Sequence, residues 1–243
     1  MDRRNVLISG GTRGVGLAVA RKLAAEGYCV FAIGRKESEA LKAAIAEFPA
    51  GALNFVPFDL VHVDVIPDLL REMKAEHGPL YGLVNNAALG TEGLLSNMHN
   101  SDIEKLVKLN TLSPIVVTKY ALRSMMTAGA GRIVNISSII GFTGYSGLSV
   151  YGATKASMLG FTRSLAREVG RLNVTVNAVA PGFMDTEMTA SMTDDQRAKI
   201  AGRAALKRLV DVDDVAASVA FLMSDAARNI TGTTITVDAG NTA

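Results

Sequence analysis

The sequence predicts an α/β fold, one doubly wound domain over residues 1–243 built on a parallel sheet of about seven strands. Three observations carry this prediction. Short apolar runs alternate with longer stretches of helical period. The runs are continuously apolar, as in strands buried on both faces of a parallel sheet, where half-exposed strands would alternate. A glycine-rich turn, Gly10-Gly11-Thr12-Arg13-Gly14-Val15-Gly16, joins the first run to the first helical stretch.

The predicted strands are Val6–Ser9, Tyr28–Ile33, Leu53–Phe58, Leu80–Asn85, Arg132–Ser137, Val174–Ala178 and Thr233–Val237. Helical patterns lie between them at Gly14–Glu26, Glu37–Phe48, Val65–Glu76, Asp102–Thr127, Val150–Leu172 and Val212–Met223. Right-handed crossovers make the strands of such a series parallel. The stretch after the sixth strand breaks the alternation. It is long and carries Met184, Met188 and Met192, and Thr193-Asp194-Asp195-Gln196 is a capping-box pattern that starts a helix late. Such sheets bind ligands beyond the carboxyl ends of their strands, so residues 183–206 are expected to form a substrate lid. The plain alternative is an ordinary surface excursion whose methionines only pack its helix.

Composition excludes several classes. With 49% apolar and 20% charged residues the chain is globular. The net charge is +2, with Lys and Arg scattered among acids and no basic stripe, so nucleic acid is not an expected partner. One cysteine, Cys29, rules out a disulfide within the chain and suits a reducing, cytoplasmic setting. Its plain reading is a small core residue. No apolar run reaches membrane-spanning length and no signal-like segment opens the chain, so no membrane partner is expected. His62, His77 and His99 fall at no metal-ligand spacing, and no metal is expected.

Tyr151 and Lys155, four apart, share one face of a predicted helix, with Ser138 thirteen residues upstream of the tyrosine. An ammonium placed there favours the phenolate and lowers a phenol pKa that is ordinarily about 10. Such a tyrosine can give a proton to a carbonyl oxygen or take one from an alcohol. Ser138 is placed to hold that oxygen. Ser137 is its rival, though it fits better as the last residue of a strand.

At the other end of the fold, Gly10, Gly14 and Gly16 let the backbone turn tightly and let a pyrophosphate approach the first helix N-terminus. Their spacing is G-x-x-x-G-x-G. About 20 residues on, where a carboxylate would select NAD, the chain reads Gly34-Arg35-Lys36. Arg35, joined by Arg13, is suited to clamp a 2′-phosphate, which favours NADP. The plain alternative is two solvated surface charges. Asp59, after the third strand, is placed either to accept from an adenine amine or to cap a helix.

With the glycine turn, Asn85-Asn86-Ala87-Ala88, Asn110, Ser138, Tyr151, Lys155 and Pro181-Gly182 in order, the chain resembles the classical short-chain dehydrogenase/reductases along essentially all of its length. Within that family it looks most like the 3-oxoacyl-acyl-carrier-protein reductases. Ser164-Leu165-Ala166-Arg167-Glu168-Val169, Val174-Thr175-Val176-Asn177, Ala180-Pro181-Gly182-Phe183, Thr186-Glu187-Met188 and Ser191–Arg197 carry this likeness. The resemblance implies a Rossmann-type fold, an NADP(H) cofactor and a catalytic tetrad. In it Tyr151 is the general acid, Ser138 orients the carbonyl, Lys155 lowers the tyrosine's pKa and holds the nicotinamide ribose, and Asn110 anchors a proton-relaying water. From the residues alone, Asn110 reads equally well as a helix amide satisfying backbone groups.

The resemblance also implies cofactor contacts from Gly10, Thr12, Arg13, Gly14, Val15, Gly16, Arg35, Asp59, Leu60, Asn86, Ala87, Ala88, Tyr151, Lys155, Pro181, Gly182, Met184 and Thr186. Two departures stand out. Ala88 occupies a place where the family usually has glycine, narrowing backbone freedom beside the adenine ribose. Residues 127–131 lack the cationic cluster with which such reductases meet an acidic carrier protein, leaving Arg123, Arg132, Arg167 and Arg171 as nearby candidates.

The expected activity is therefore NADPH-dependent reduction of a 3-oxoacyl thioester, on acyl carrier protein or CoA, in fatty acid biosynthesis. The alternatives are reduction of a free ketone in secondary metabolism, or a non-catalytic NADP-binding sensor. The family implies a homotetramer built on the two long helices, and the ending Asp238–Ala243 is a segment on which sequence is silent.

Overall fold

In the computed structural model, which describes residues 3–90, 93–184 and 193–243, seven strands form one sheet. They are β1 (Asn5–Ser9), β2 (Cys29–Gly34), β3 (Leu53–Pro57), β4 (Leu80–Asn85), β5 (Gly131–Ile136), β6 (Val174–Pro181) and β7 (Thr234–Val237), in the order β3-β2-β1-β4-β5-β6-β7. Every pairing is parallel. The helices are α1 (Gly14–Ala25), α2 (Glu39–Glu47), α3 (Ile66–His77), α4 (Asn100–Val107), α5 (Ser113–Ala128), α6 (Ser149–Val169), α7 (Asp194–Arg203) and α8 (Val212–Met223).

The apolar runs explain the layering. Successive side chains of a strand point to opposite faces. Val6 and Ile8 of β1 join Val30, Ala32, Val84 and Val134 under α1, α2 and α8. Leu7, between them, joins Phe31, Ile33, Leu83 and Ile133 under α3, α5 and α6. Both faces are covered, so neither face of a strand such as Val6-Leu7-Ile8, wholly buried, has room for a polar residue.

Two element boundaries differ from expectation. The stretch 102–127 is not one regular helix: a π-turn over Lys108–Leu112 separates α4 from α5. Pro114 explains the break, because it has no N–H to close an α-helical bond to the Asn110 carbonyl. Strand β6 runs on to Pro181, held at its end by pairing with β7. The capping box before α7 forms as read: Thr193 Oγ1 accepts from Gln196 N at 3.3 Å, and Thr193 N donates to Gln196 Oε1 at 2.9 Å.

Beneath the carboxyl end of the sheet a buried polar chain ties four elements. Asn85 Nδ2 donates to Asn135 Oδ1 at 2.8 Å and to Thr118 Oγ1 at 2.9 Å, and Asn135 Nδ2 donates to Thr162 Oγ1 at 2.9 Å. Fixed hydrogen bonds of this kind hold β4, β5, α5 and α6 in one register below the groups described next. No helix among the described residues is long and apolar enough to cross a membrane.

Candidate active site

The strand order reverses direction between β1 and β4, and the loops leaving these strands meet at that point. Ser9 Oγ accepts from Asn86 N at 2.9 Å and Ala87 N at 3.0 Å, while Asn86 Nδ2 donates to the carbonyls of Ser9 and Gly10, each at 3.0 Å. Asn86 thereby locks the glycine turn to the end of β4. The turn is shaped for a ligand. A Cβ at Gly16 would sit 2.1 Å from the Gly10 carbonyl, whereas Gly14, with φ +51, faces nothing within 4 Å. A tight turn opening onto free space at a helix N-terminus fits a dinucleotide pyrophosphate.

Thr12 reaches across to β2. Ser38 Oγ donates to the Thr12 carbonyl at 2.5 Å while capping α2, and a Cβ on Gly34 would overlap the Thr12 methyl at 2.5 Å. The neighbours of these two residues, Arg13 and Arg35, are both exposed at this edge. Asp59 accepts from Val61 N at 3.1 Å and so closes a local turn; the N-cap position of α3 is Val65, which makes no side-chain capping bond. Leu60 is buried, its carbonyl accepting from Ser113 Oγ at 2.6 Å. Ala88 is not strained: positive φ at non-glycine positions among the described residues is confined to Asn173, Lys207 and Ala239. Alanine therefore costs this backbone nothing.

The carbonyl chemistry sits one strand further on. Ser138 follows β5, and Tyr151 and Lys155 lie on the first turns of α6. The two serines separate cleanly. Ser137 Oγ donates to the Lys155 carbonyl at 2.8 Å and is consumed by structure, while Ser138 Oγ accepts from Ile140 N at 3.2 Å and turns its hydroxyl to Tyr151. Lys155 is 4% exposed, donates to the Ile136 carbonyl at 2.9 Å, and lies 5.7 Å from the centre of the Tyr151 ring.

One expectation is corrected here. The Tyr151 phenol is raised above its ordinary pKa of 10, not lowered, because burial of its hydroxyl end outweighs the opposing influence of the Ser138 hydroxyl. Lys155, turned toward Ile136, does not depress it. The phenol is consequently a proton donor throughout the neutral range. Lys155 itself is lowered from 10.5 to about 8 by burial. Its folded pKa lies below its unfolded one, so the unfolded chain binds more protons between pH 8 and 10.5 and stability rises with pH there. Relative to a Lys155→Met variant, the wild type should gain on the order of 3 kcal/mol from pH 8 to 10.5, and urea unfolding at both ends checks it. A pH-independent difference would contradict the assignment.

Asn110 lies on the π-turn. Its side chain grips the backbone of Leu89 from both ends, accepting from its N–H and donating to its carbonyl at 2.8 Å each, and donates to Thr154 Oγ1 at 3.2 Å. The amide side chain is thus a structural clamp, and Pro114 can donate no α-helical bond to the main-chain carbonyl of this residue.

Pro181 and Gly182 close β6, where Gly182 N donates to the Val237 carbonyl at 2.8 Å. Met184 bridges to Val210 and packs on the core of the sheet rather than on the helix that follows it. Thr186, Met188 and Met192 lie outside the described residues. A second correction concerns Arg132. It is 4% exposed, 3.6 Å from Asp225 and stacked over Tyr81 at the opposite end of the sheet, so it is not available to dock a partner.

Sequence reasoning missed a cavity of about 240 Å³ beside Ser138, walled by Ile139, Ile140, Tyr145 and Phe183 and closed by Arg203, Asn241 and Thr242. The last three come from α7 and the chain end, and no spacing signal joins them to residue 138.

A doubly wound sheet with this turn and this Ser-Tyr-Lys grouping defines a nucleotide-dependent oxidoreductase of a single kind: the chain belongs to the short-chain dehydrogenase/reductase family. A family profile described as "Enoyl-(Acyl carrier protein) reductase" matches residues 10–242. Among particular proteins, it is 39% identical over 240 residues to the 3-oxoacyl-[acyl-carrier-protein] reductase FabG of Haemophilus influenzae, covering 99% of this chain and 98% of that one. It is 40% identical to carbonyl reductase family member 4 of Xenopus tropicalis, over 96% of this chain and 95% of the other. The solved structure of ElxO with NADP bound superposes with a TM-score of 0.90 at 31% identity, covering 98% of each chain.

Proposed function

We propose that this protein is an NADPH-dependent reductase of 3-oxoacyl thioesters, and that the pairing of a proton-retaining Tyr151 with the Ser138 hydroxyl beside it carries the reading. When bound, NADPH supplies the hydride to the ketone carbon. Ser138 Oγ donates to the ketone oxygen and fixes it. Tyr151 gives up its phenolic proton to that oxygen as the carbonyl π-bond breaks, leaving the 3-hydroxyacyl product. Lys155, charged below about pH 8, stabilises the phenolate left behind and holds the nicotinamide ribose. The Asn110 carbonyl anchors the water through which the phenolate is reprotonated. Residues 183–206 serve as the substrate lid of a single domain, and a homotetramer forms on the long helices, where Val107 on α4, Leu112 on the π-turn and Met126 on α5 stand exposed.

For the cofactor, Gly10–Gly16 cradles the pyrophosphate, Asp59, Leu60 and Asn86–Ala88 flank the adenosine, and Arg13 with Arg35 receives the 2′-phosphate. Loss of a charge-assisted contact costs about 1.5–3 kcal/mol, so Arg35→Ala should raise the KM for NADPH by about 10- to 150-fold and leave NADH unchanged. Steady-state kinetics with both cofactors check it.

A second substrate reading is favoured by one observation. Residues 127–131 hold no basic side chain and Arg132 is buried, which leaves Arg123, Arg167 and Arg171 as the exposed cations for an acidic carrier. The test is NADPH oxidation with acetoacetyl thioesters on carrier protein and on CoA. Turnover of both supports the reductase; preference for CoA moves the substrate away from carrier protein, and turnover of free ketones alone would replace the thioester reading.

A further inference from the structure

We propose that the cavity beside Ser138 selects carbonyl substrates bearing an oxyanion, with Arg203 as the residue that receives it. This rests on the reading of Ser138 and Tyr151 as the carbonyl-reducing pair. The cavity's near wall is Ile139 and Ile140, the two residues after Ser138, and Ile140 N is the donor that orients the Ser138 hydroxyl. Its far wall is polar: Arg203, Asn241 and Thr242.

That far wall is a built unit. Ala205 N donates to the Gly240 carbonyl at 3.2 Å and Leu206 N to the Ala239 carbonyl at 3.0 Å, joining the end of α7 to the chain terminus. Asp238 folds the terminus back by accepting from Gly240 N at 2.9 Å, Thr242 N at 2.9 Å and Thr242 Oγ1 at 2.7 Å. Gly240 has φ +76, and a Cβ there would lie 2.7 Å from that of Ala205, so only glycine permits the joint.

The ordinary uses of an arginine at a helix end are taken by others. Lys207 Nζ donates to the Gly202 carbonyl at 2.7 Å, serving the carboxyl end of α7. Asp238 is saturated by its own turn. Among the described residues the Arg203 side chain makes no ion pair or hydrogen bond, and neither does the Asn241 side chain. Arg203, exposed at the end of α7 and lining the polar wall of this cavity with none of the described acids paired to it, can receive a carboxylate or phosphate in bidentate fashion. A hydrocarbon acyl chain would have no use for it.

Two sources supply such a group: a carboxylate at the far end of the acyl chain, or a phosphate of the thioester arm. The test compares matched substrates in wild type, Arg203→Gln and Arg203→Lys. The N-acetylcysteamine thioester of acetoacetate is the neutral reference. Acetoacetyl-CoA adds the phosphates, and 3-oxoadipyl N-acetylcysteamine adds the terminal carboxylate. The ratio of kcat/KM for one anionic substrate over the neutral one should fall about 10- to 100-fold in Arg203→Gln, through KM, and recover in part in Arg203→Lys. A fall with the CoA pair identifies the phosphate, and a fall with the oxoadipyl pair the carboxylate. Unchanged ratios in both pairs overturn the proposal. If the wild type reduces no thioester, the 3-oxoacyl reading fails separately. Arg203 is then judged by the calorimetric Kd of 4-oxopentanoate against its methyl ester on the NADP-loaded chain, where equal ratios in wild type and Arg203→Gln overturn it.

Discussion

Changing Tyr151 to Phe should lower kcat by about 10²- to 10⁴-fold, the usual contribution of a positioned general acid, while the Kd for NADPH stays within about twofold of wild type. The substitution removes one oxygen from a half-buried ring and keeps its shape. The hydroxyl makes no structural hydrogen bond that other elements depend on: Ser138 Oγ is held by Ile140 N, and Lys155 by the Ile136 carbonyl. The fold and the Lys155 charge therefore survive, and only the proton is lost. Stopped-flow NADPH oxidation together with fluorescence titration separates the two quantities. The same variant tests the sensor alternative, since a binding module would be indifferent to it. Turnover near the wild-type rate would show that another group delivers the proton.

Changing Gly16 to Ala should damage stability and cofactor binding at once. The added methyl would fall 2.1 Å from the Gly10 carbonyl oxygen and 2.6 Å from Asn86 Nδ2. Neither neighbour is free to move, because Asn86 Nδ2 is the group that ties the end of β4 to the glycine turn through the Ser9 and Gly10 carbonyls. Overpacking of this kind costs about 1–3 kcal/mol, which in a chain of this size is roughly 2–12 °C in Tm. The turn that cradles the pyrophosphate shifts with it, so the Kd for NADPH should rise by at least about tenfold. Gly14→Ala is the contrast. It meets no atom within 4 Å and suffers only the strain of φ +51, so its loss should be the smaller. Thermal unfolding and cofactor titration of both variants check the order. Equal behaviour of Gly16→Ala and wild type would mean the turn is looser than its contacts indicate.

The fold was readable because its signal is local and redundant. Val6-Leu7-Ile8 and the other apolar runs match strands covered on both faces, and the Gly10–Gly16 turn marks the first strand-to-helix passage. Thr193 and Gln196 carry their capping chemistry within four residues, so α7 was legible too. The π-turn at Lys108–Leu112 was less so, although Pro114 was its visible cause: a helical period continues through one extra residue almost unchanged.

In the candidate site, Ser138, Tyr151 and Lys155 come together because one short loop and one helix hold them. Two matters escaped for a physical reason. Whether Lys155 or burial governs the Tyr151 proton depends on where an ammonium points, and the Ile136 carbonyl that holds it is nineteen residues away. The wall of Arg203, Asn241 and Thr242 exists only through hydrogen bonds between residues 205–206 and 239–240, which no periodicity announces. Arg132 misled for a similar cause: a charged residue opening a strand looks exposed until Tyr81 and Asp225 are seen beside it.

The account rests on direct reduction of a ketone by this site, and isotope transfer reads it most directly. NADPH carrying deuterium at the C4 position that is transferred, incubated with the wild-type chain and an acetoacetyl thioester, should yield a 3-hydroxybutyryl product with one deuterium at C3, and Tyr151→Phe should yield almost none in the same time. Product without deuterium at C3 from either C4-labelled form of NADPH, or label transferred equally well by Tyr151→Phe, would contradict it.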